Sequence, residues 1–174
     1  MPKRPIVAED LLRIQFLGDP RMHPEGTQIL FSKRHIDKEK NKYVGNLFSV
    51  DFEGKVTQWT QGEAGAGGGR WSPSGDRIAF VSGREGKQPQ IFVIHTSGGE
   101  AAKITSLPEG SIGEIKWSPD GKSIAFTFRP THEDWTQAAA KKREETGASI
   151  PARAIDTAWY RLDGDGYFDN ARYA

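Results

Sequence analysis

The chain has 174 residues, a formal net charge of +1, and 36% hydrophobic against 27% charged residues. This size and composition suit one soluble domain with its own core, and the near-neutral charge argues against a nucleic-acid surface, which needs a concentrated basic patch. The sequence contains no cysteine, which excludes disulfides, zinc–thiolate sites and a cysteine nucleophile.

Residues 1–20 are predicted to form a separate N-terminal segment. Charged residues interrupt every apolar run in MPKRPIVAEDLLRIQFLG, so this segment is expected to be neither a signal peptide nor a membrane span. Together with the absence of cysteine, this predicts a cytoplasmic protein with no membrane partner. Within the segment, residues 9–17 are predicted to form a short amphipathic helix.

A turn followed by a short apolar strand occurs three times. The copies are MHPEGTQILFSK at residues 22–33, WSPSGDRIAFVSGR at 71–84 and WSPDGKSIAFTFR at 117–129. Their prolines, Pro24, Pro73 and Pro119, are 49 and 46 residues apart. Proline fixes φ at the first corner and glycine accepts the left-handed exit, so both serve the turn geometry. The strands are apolar on both faces, which predicts that both faces are covered.

A second recurring unit, at residues 46–60 and 90–105, consists of an apolar strand, a glycine turn and a strand that ends in an apolar residue and threonine. Together the two units give four short strands per repeat, which is the pattern of a β-propeller blade. The predicted fold is therefore all-β: a partial β-propeller of about three four-stranded antiparallel blades at residues 21–174. The repeats are expected at about 21–66, 67–111 and 112–174.

A blade needs neighbours to cover its faces, and a closed propeller has four to eight blades. The chain holds fewer, and its third repeat ends before a counterpart of IFVIHT follows. We therefore expect a fragment of a longer protein or one half of an assembly. Exposed strand edges predict that the chain alone can self-associate.

The third repeat carries a charged insertion at residues 129–156. Its segment DWTQAAAKKREETG is rich in alanine and in charged residues with high helix propensity. It is predicted to form a surface helix that Gly147 ends, with Lys141 and Glu145 as an i,i+4 ion pair.

The repeats, this insertion and the final segment WYRLDGDGYFDNARYA at residues 159–174 together resemble the N-terminal β-propeller of prolyl oligopeptidase-type serine peptidases, in the acylaminoacyl-peptidase branch. The resemblance covers nearly the whole chain, although TolB-like propellers also carry W-S-P-D-G repeats. It implies a C-terminal α/β-hydrolase domain, absent from this chain, that holds the catalytic Ser, Asp and His. It also implies that the propeller admits short peptides and excludes folded proteins, and that residues 1–20 pack on the hydrolase.

No catalytic residue is predicted within the chain. The nucleophile elbow G-x-S-x-G is absent, and its nearest match surrounds Ser111 without a following helix. His23 is expected to serve the first repeat turn, and His95 to end a strand. The candidate substrate-facing residues are His132, Glu133 and Asp134 of the insertion, which could contact a peptide amine; the alternative is a solvated loop.

No cofactor or metal site is predicted either. The glycines of GAGGG at residues 65–69 match neither phosphate-binding motif and are interpreted as structural. DGDGYFD at residues 163–169 lacks the glycine and final acid of a calcium loop, so a hairpin turn is the preferred interpretation.

The resemblance therefore implies the gating propeller of an acylaminoacyl-peptidase-like enzyme, whose partners are the hydrolase domain and short peptides. The alternative is a non-enzymatic TolB-like propeller that binds other proteins, for which a periplasmic signal peptide would be expected.

Overall fold

The computed structural model describes residues 4–86, 88–153, 155, 158–162 and 166–167. The chain forms two compact units. One comprises Met1–Leu107 and Ile112–Phe128, and the other comprises Pro108–Ser111 and Arg129–Ala174.

The N-terminal helix is shorter than predicted and of a different type. A 3₁₀-helix spans Ala8–Arg13, and Ile14 is already extended. Phe16 and Leu17, expected at the end of an amphipathic helix, instead pair with Arg34 and Lys33 of a strand. The expectation for residues 9–17 is therefore wrong, because strand pairing outweighs local helix propensity at these residues. The expected boundary at residue 20 falls inside the first strand.

The first blade is a four-stranded antiparallel sheet in the order β1-β2-β3-β4. Its strands are β1 (Phe16–Met22), β2 (Gln28–Asp37), β3 (Lys42–Asp51) and β4 (Val56–Gln58). The second blade repeats this arrangement, in the order β5-β6-β7-β8. Its strands are β5 (Gly67–Trp71), β6 (Arg77–Ser82), β7 (Gln90–His95) and β8 (Ala102–Lys103). The prediction of four-stranded antiparallel blades is confirmed.

The third repeat contributes a two-stranded sheet, formed by β9 (Gly110–Trp117) and β10 (Ile124–Pro130). In each repeat, the recurring turn follows directly after the first strand of the sheet, which is β1, β5 or β9. These three strands are called the inner strands.

The three turns have the same hydrogen bonds, as the turn interpretation predicts. Each glycine N–H donates to the carbonyl three residues earlier, at Gly26, Gly75 and Gly121, over 2.8–2.9 Å. These glycines have φ values of 69°, 72° and 65°, a region that favours glycine. A second bond closes each turn over 2.8 Å: His23 N to Gln28 O, Ser72 N to Arg77 O, and Ser118 N to Ser123 O.

The second blade is buried on both faces, as predicted. Ile78 and Phe80 of β6 point to one side and join Leu30 and Leu47 of the first blade in a core cluster. Ala79, on the other side of β6, joins a second cluster with Ile91 and Ile115. Alternation along one strand thus supplies both blade interfaces.

The glycines of GAGGG are structural, as interpreted, but they lie largely in a strand. Gly67–Trp71 is β5, and a Cβ at Gly69 would lie 2.8 Å from the Leu30 side chain. The absence of a side chain at Gly69 lets β5 approach the first blade closely.

The second unit contains the predicted helix of the insertion. The helix α1 spans Gln137–Thr146, the Thr136 side chain accepts a hydrogen bond from Ala139 N, and Gly147 ends the helix with φ 65°. Lys141 and Glu145 form the predicted ion pair at 3.7 Å. The strands β11 (Arg161–Leu162) and β12 (Gly166–Tyr167) pair antiparallel, as expected for strands that flank a hairpin. The remaining residues of DGDGYFD lie outside the described part of the chain.

Candidate functional site

The inner strands of the first two blades share a bulge that positions charged side chains. The β1–β2 register shifts between Gly18 and Arg21, and the β5–β6 register shifts between Gly67 and Arg70. Asp19 occupies the bulge of β1 with φ 51°, a conformation that is uncommon for a residue with a side chain. The corresponding residue of β5 is glycine. The bulge places a basic residue at the same position of both inner strands.

Asp19 links these two basic residues across the blade interface. Its Oδ1 lies 2.7 Å from Arg21 Nη2, and its Oδ2 lies 2.7 Å from Arg70 Nη1. In the third repeat, Glu114 and Lys116 have the same spacing as Asp19 and Arg21, and they form an ion pair at 3.6 Å. All three repeats therefore carry a cation one residue before the aromatic or methionine that opens the turn.

Two tryptophans fix neighbouring repeats to one another. Trp71 Nε1 donates to the carbonyl of Arg21 over 3.1 Å, and Trp117 Nε1 donates to the carbonyl of Arg70 over 3.1 Å. Both tryptophans therefore serve the geometry of the repeats. Each indole binds the main chain at the basic residue of the preceding inner strand.

These residues border a concave surface, here called the inner-strand cleft, with a volume of about 330 Å³. Its lining comprises Arg21, Met22, Pro24, Arg70, Trp71, Ser72, Pro73, Lys116 and Trp117. The cleft combines apolar walls with three cationic side chains. Sequence reasoning did not identify it, although the pattern [RK]-[MW]-[HS]-P occurs in all three repeats.

A second cavity, of about 510 Å³, lies between the outer strands of the second blade and the third repeat. It is called the interblade groove. Ile91, Val93 and Ile104 line one side, and Trp117 and Phe126 line the other. His95, which ends β7 as expected, lies at the polar end of the groove together with Arg77, Glu100 and Lys122.

At the interface between the first and second blades, side chains occupy the space that corresponds to this groove. There, Phe92 and Ile94 of β7 fill the space beside Leu47 of the first blade. In the third repeat, the described residues form a two-stranded sheet in which β10 pairs with β9 alone. The shape of the interblade groove is therefore that of an incompletely filled blade interface.

The predicted substrate-facing residues lie at the start of a 3₁₀-helix, Glu133–Trp135, in the second unit. His132 Nδ1 accepts a hydrogen bond from Asp134 N over 3.3 Å and lies 3.7 Å from Asp134 Oδ2. Glu133 and Asp134 are exposed. The three residues are thus consecutive at one helix start, where His132 contacts Asp134, and their contact with a substrate stays a prediction.

Ser111 and His23 lie at positions where they serve the fold. Ser111 lies within the strand β9, away from the strand–helix turn that a nucleophile elbow requires. His23 is buried, and its Nδ1 accepts a hydrogen bond from Glu25 N over 3.2 Å. Its Nε2 lies 3.3 Å from Gly75 O of the second repeat. His23 thus serves the first turn, as expected, and also joins two blades.

The carboxylates of the repeat turns are stabilised in their ionised form. Asp76 accepts hydrogen bonds from Ser74 Oγ and Ser72 Oγ, and these bonds lower its pKa to about 2. Asp120 accepts bonds from Ser118 Oγ and Lys122 N, which likewise hold its pKa below the ordinary value. The two turns thus use a carboxylate at different positions to bind the serine that follows tryptophan.

Within the described residues, no group of three or more histidine or acidic side chains is arranged to hold a metal ion. In the same part of the chain, no helix has the length and apolar character needed to cross a bilayer.

The sequence profile of the TolB β-propeller domain (PD40) matches residues 14–150, which is most of the chain. The chain belongs to this propeller family. The match includes the two described blades, the β9–β10 sheet and the helix of the insertion.

Relatives of this PD40 propeller include peptidases. The chain is 33% identical over 165 residues to the uncharacterized peptidase YuxL of Bacillus subtilis, covering 94% of this chain and 24% of that protein. The acylaminoacyl peptidase of Pyrococcus horikoshii has a similar fold, with a TM-score of 0.69, 23% identity and coverage of 92% of this chain and 23% of its own. The chain thus spans about a quarter of the length of these two proteins.

A TolB protein is also similar, over a shorter stretch. The Tol-Pal system protein TolB of Alcanivorax borkumensis is 39% identical over 58 residues, which is 33% of this chain and 13% of that protein.

Proposed function

We propose that this PD40 propeller is the N-terminal gating portion of an acylaminoacyl-peptidase-like serine peptidase, located in the cytoplasm. The observation that carries the proposal is the extent of similarity. YuxL aligns over 94% of the chain, including the insertion, whereas the TolB relative aligns over 33%. In this proposal the catalytic Ser, Asp and His belong to a hydrolase domain elsewhere in the parent protein.

The propeller contributes selection by size. Stacked blades whose faces are buried against one another form a rigid wall, because their interfaces pack as densely as a core. Short peptides would pass this wall and folded proteins would not. His132, Glu133 and Asp134 are proposed to face the substrate from the insertion, where two carboxylates could attract a peptide amine.

The test compares the parent protein with this chain alone. The parent is expected to carry G-x-S-x-G about 300 residues downstream, followed by Asp and His, and to hydrolyse acylated p-nitroanilide peptides. The 174-residue chain is expected to show no turnover. A parent sequence without this motif would disprove the peptidase assignment, and turnover by the isolated chain would reveal a catalytic site within it.

A Glu133→Gln/Asp134→Asn double variant of the parent tests the substrate-facing role. We expect KM to rise for peptides with a free amine and to stay unchanged for acylated ones. The matched control is Glu144→Gln/Glu145→Gln on α1, which removes two exposed charges of the same insertion. Equal KM changes in both variants would contradict the role.

The alternative function is a non-enzymatic, TolB-like binding module. It is supported by the PD40 profile and by the TolB relative. A parent protein that lacks a hydrolase domain would favour this alternative.

A further inference from the structure

We propose that the inner-strand cleft binds a carboxylate attached to an apolar group, as presented by the C-terminus of a peptide that ends in a hydrophobic residue. Arg21, Arg70 and Lys116 are the residues assigned to the carboxylate. This choice of ligand rests on the proposed peptidase function. The position and charge of the cleft do not depend on it.

The charge of the cleft favours an anion. Among the described residues, the lining of the cleft carries three cationic side chains and no carboxylate. Asp19 and Glu114 are not among the lining residues, and they pair with these cations. Two carboxylates against three cations leave an excess positive charge, and cations brought together in a concavity attract anions more strongly than isolated surface cations do.

The cations keep donors for a ligand despite their ion pairs. A guanidinium has five N–H donors. Arg70 contacts both Asp19 and the Gly69 carbonyl through a single nitrogen, Nη1, so other donors of the same group can bind a second acceptor. Its side chain is only 16% exposed, and it is therefore held in place before a ligand arrives. Lys116 is 71% exposed and can move to close on the ligand.

The walls of the cleft suit an apolar group beside the carboxylate. Trp71, Trp117, Met22 and two prolines contribute to the lining. Both indole N–H groups are already bonded to carbonyls, so the rings are fixed, and Met22, which is 53% exposed, supplies accessible apolar surface beside them. A cavity of about 330 Å³ accommodates one large side chain with its carboxylate, at the small end of ligand sites in proteins.

The experiment is calorimetric titration of the chain with an N-acetylated pentapeptide that ends in phenylalanine, as the free acid and as the C-terminal amide. We expect the affinity for the acid to be at least about tenfold higher than the affinity for the amide, because charge-assisted hydrogen bonds to the carboxylate are lost in the amide. Free acetate at the same concentration is expected to bind far more weakly, since it lacks the apolar group. Equal affinities of acid and amide, or of acid and acetate, would overturn the proposal.

Two variants change the charge of the cleft in opposite directions. Lys116→Gln should weaken binding of the acid by roughly threefold to tenfold. The matched control is Lys122→Gln, which removes another exposed lysine of the third repeat and should leave the affinity unchanged. Asp19→Asn should strengthen binding, because it frees Arg21 and Arg70, and asparagine tolerates positive φ well.

The sign of the Asp19→Asn effect separates a binding site from a purely structural ion pair. If this variant weakens or abolishes binding while the circular dichroism spectrum stays native, the cleft is not a carboxylate site. If Asp19→Asn fails to fold, the Lys116→Gln and Lys122→Gln pair decides alone, and equal affinities of these two would overturn the proposal. Turnover of the parent protein is measured separately, so a failure here and a failure of the peptidase assignment are distinguishable.

Discussion

The second blade and the third repeat carry nearly the same motif in different packing environments. Phe80 in WSPSGDRIAF is 0% exposed, and its counterpart Phe126 in WSPDGKSIAF is 36% exposed. Ala79 is buried, and its counterpart Ala125 is exposed. The turns before these residues nevertheless have the same hydrogen bonds. Local sequence thus determines the turn, whereas burial of the strand requires neighbouring strands on both faces.

Truncation of the two phenylalanines should give the largest contrast between these regions. We expect Phe80→Ala to lower the free energy of unfolding by about 3–5 kcal/mol, because it opens a cavity in a closed core. Phe126→Ala should cost about 1 kcal/mol or less, since its ring already contacts solvent. Urea unfolding followed by tryptophan fluorescence measures both values. Similar costs would show that the third repeat is packed as tightly as the second blade.

Alanine substitutions at the turn glycines test contacts between repeats. Their expected effects on the free energy of unfolding are smaller than that of Phe80→Ala. A methyl group at Gly75 would overlap the imidazole of His23, whereas a methyl group at Gly26 meets no atom within 4 Å. Both residues have positive φ, so each alanine variant pays a backbone cost of about 1–2 kcal/mol. Gly75→Ala should therefore destabilise the chain more than Gly26→Ala in urea unfolding.

A second variant isolates the contact with His23. His23→Ser places at this position the serine found in the other two turns. In this background, Gly75→Ala should no longer lower the free energy of unfolding by more than Gly26→Ala does. If the excess persists in the double variant, the imidazole is not its cause.

The smallest expected difference is the loss of stability in acid that the turns of the second and third repeats each contribute. The pKa of Asp76 is lowered to about 2 from the ordinary 3.8. A carboxylate with a depressed pKa stabilises the fold at pH values above its unfolded pKa, and this contribution is lost as pH falls through the folded value. The urea concentration at the midpoint of unfolding should therefore decline as the pH is lowered from about 4 towards 2. Asp76→Asn should flatten this decline more than Asp120→Asn, and an equal effect of the two would contradict the stronger hydrogen bonding of Asp76.

Sequence alone predicted the features that depend on a few adjacent residues. The proline–glycine turns, the alternating strands and the end of α1 at Gly147 all follow from local backbone preferences. The 3₁₀-helix in place of an amphipathic helix was not predictable in this way, because Phe16 and Leu17 are drawn into a strand by partners in β2. The inner-strand cleft was missed for the same reason. Arg21, Arg70 and Lys116 are separated by 49 and 46 residues, and only the packing of the three repeats brings them to one cleft.

The two indole hydrogen bonds between repeats run in the same direction along the chain. Trp71 donates back to the first repeat and Trp117 donates back to the second, while the first repeat has Met22 at this position, which has no N–H donor in its side chain. The second and third repeats are thus each bonded to the repeat that precedes them in the chain. Because translation proceeds from the N-terminus, the carbonyl that each of these two indoles requires is synthesised before the indole itself.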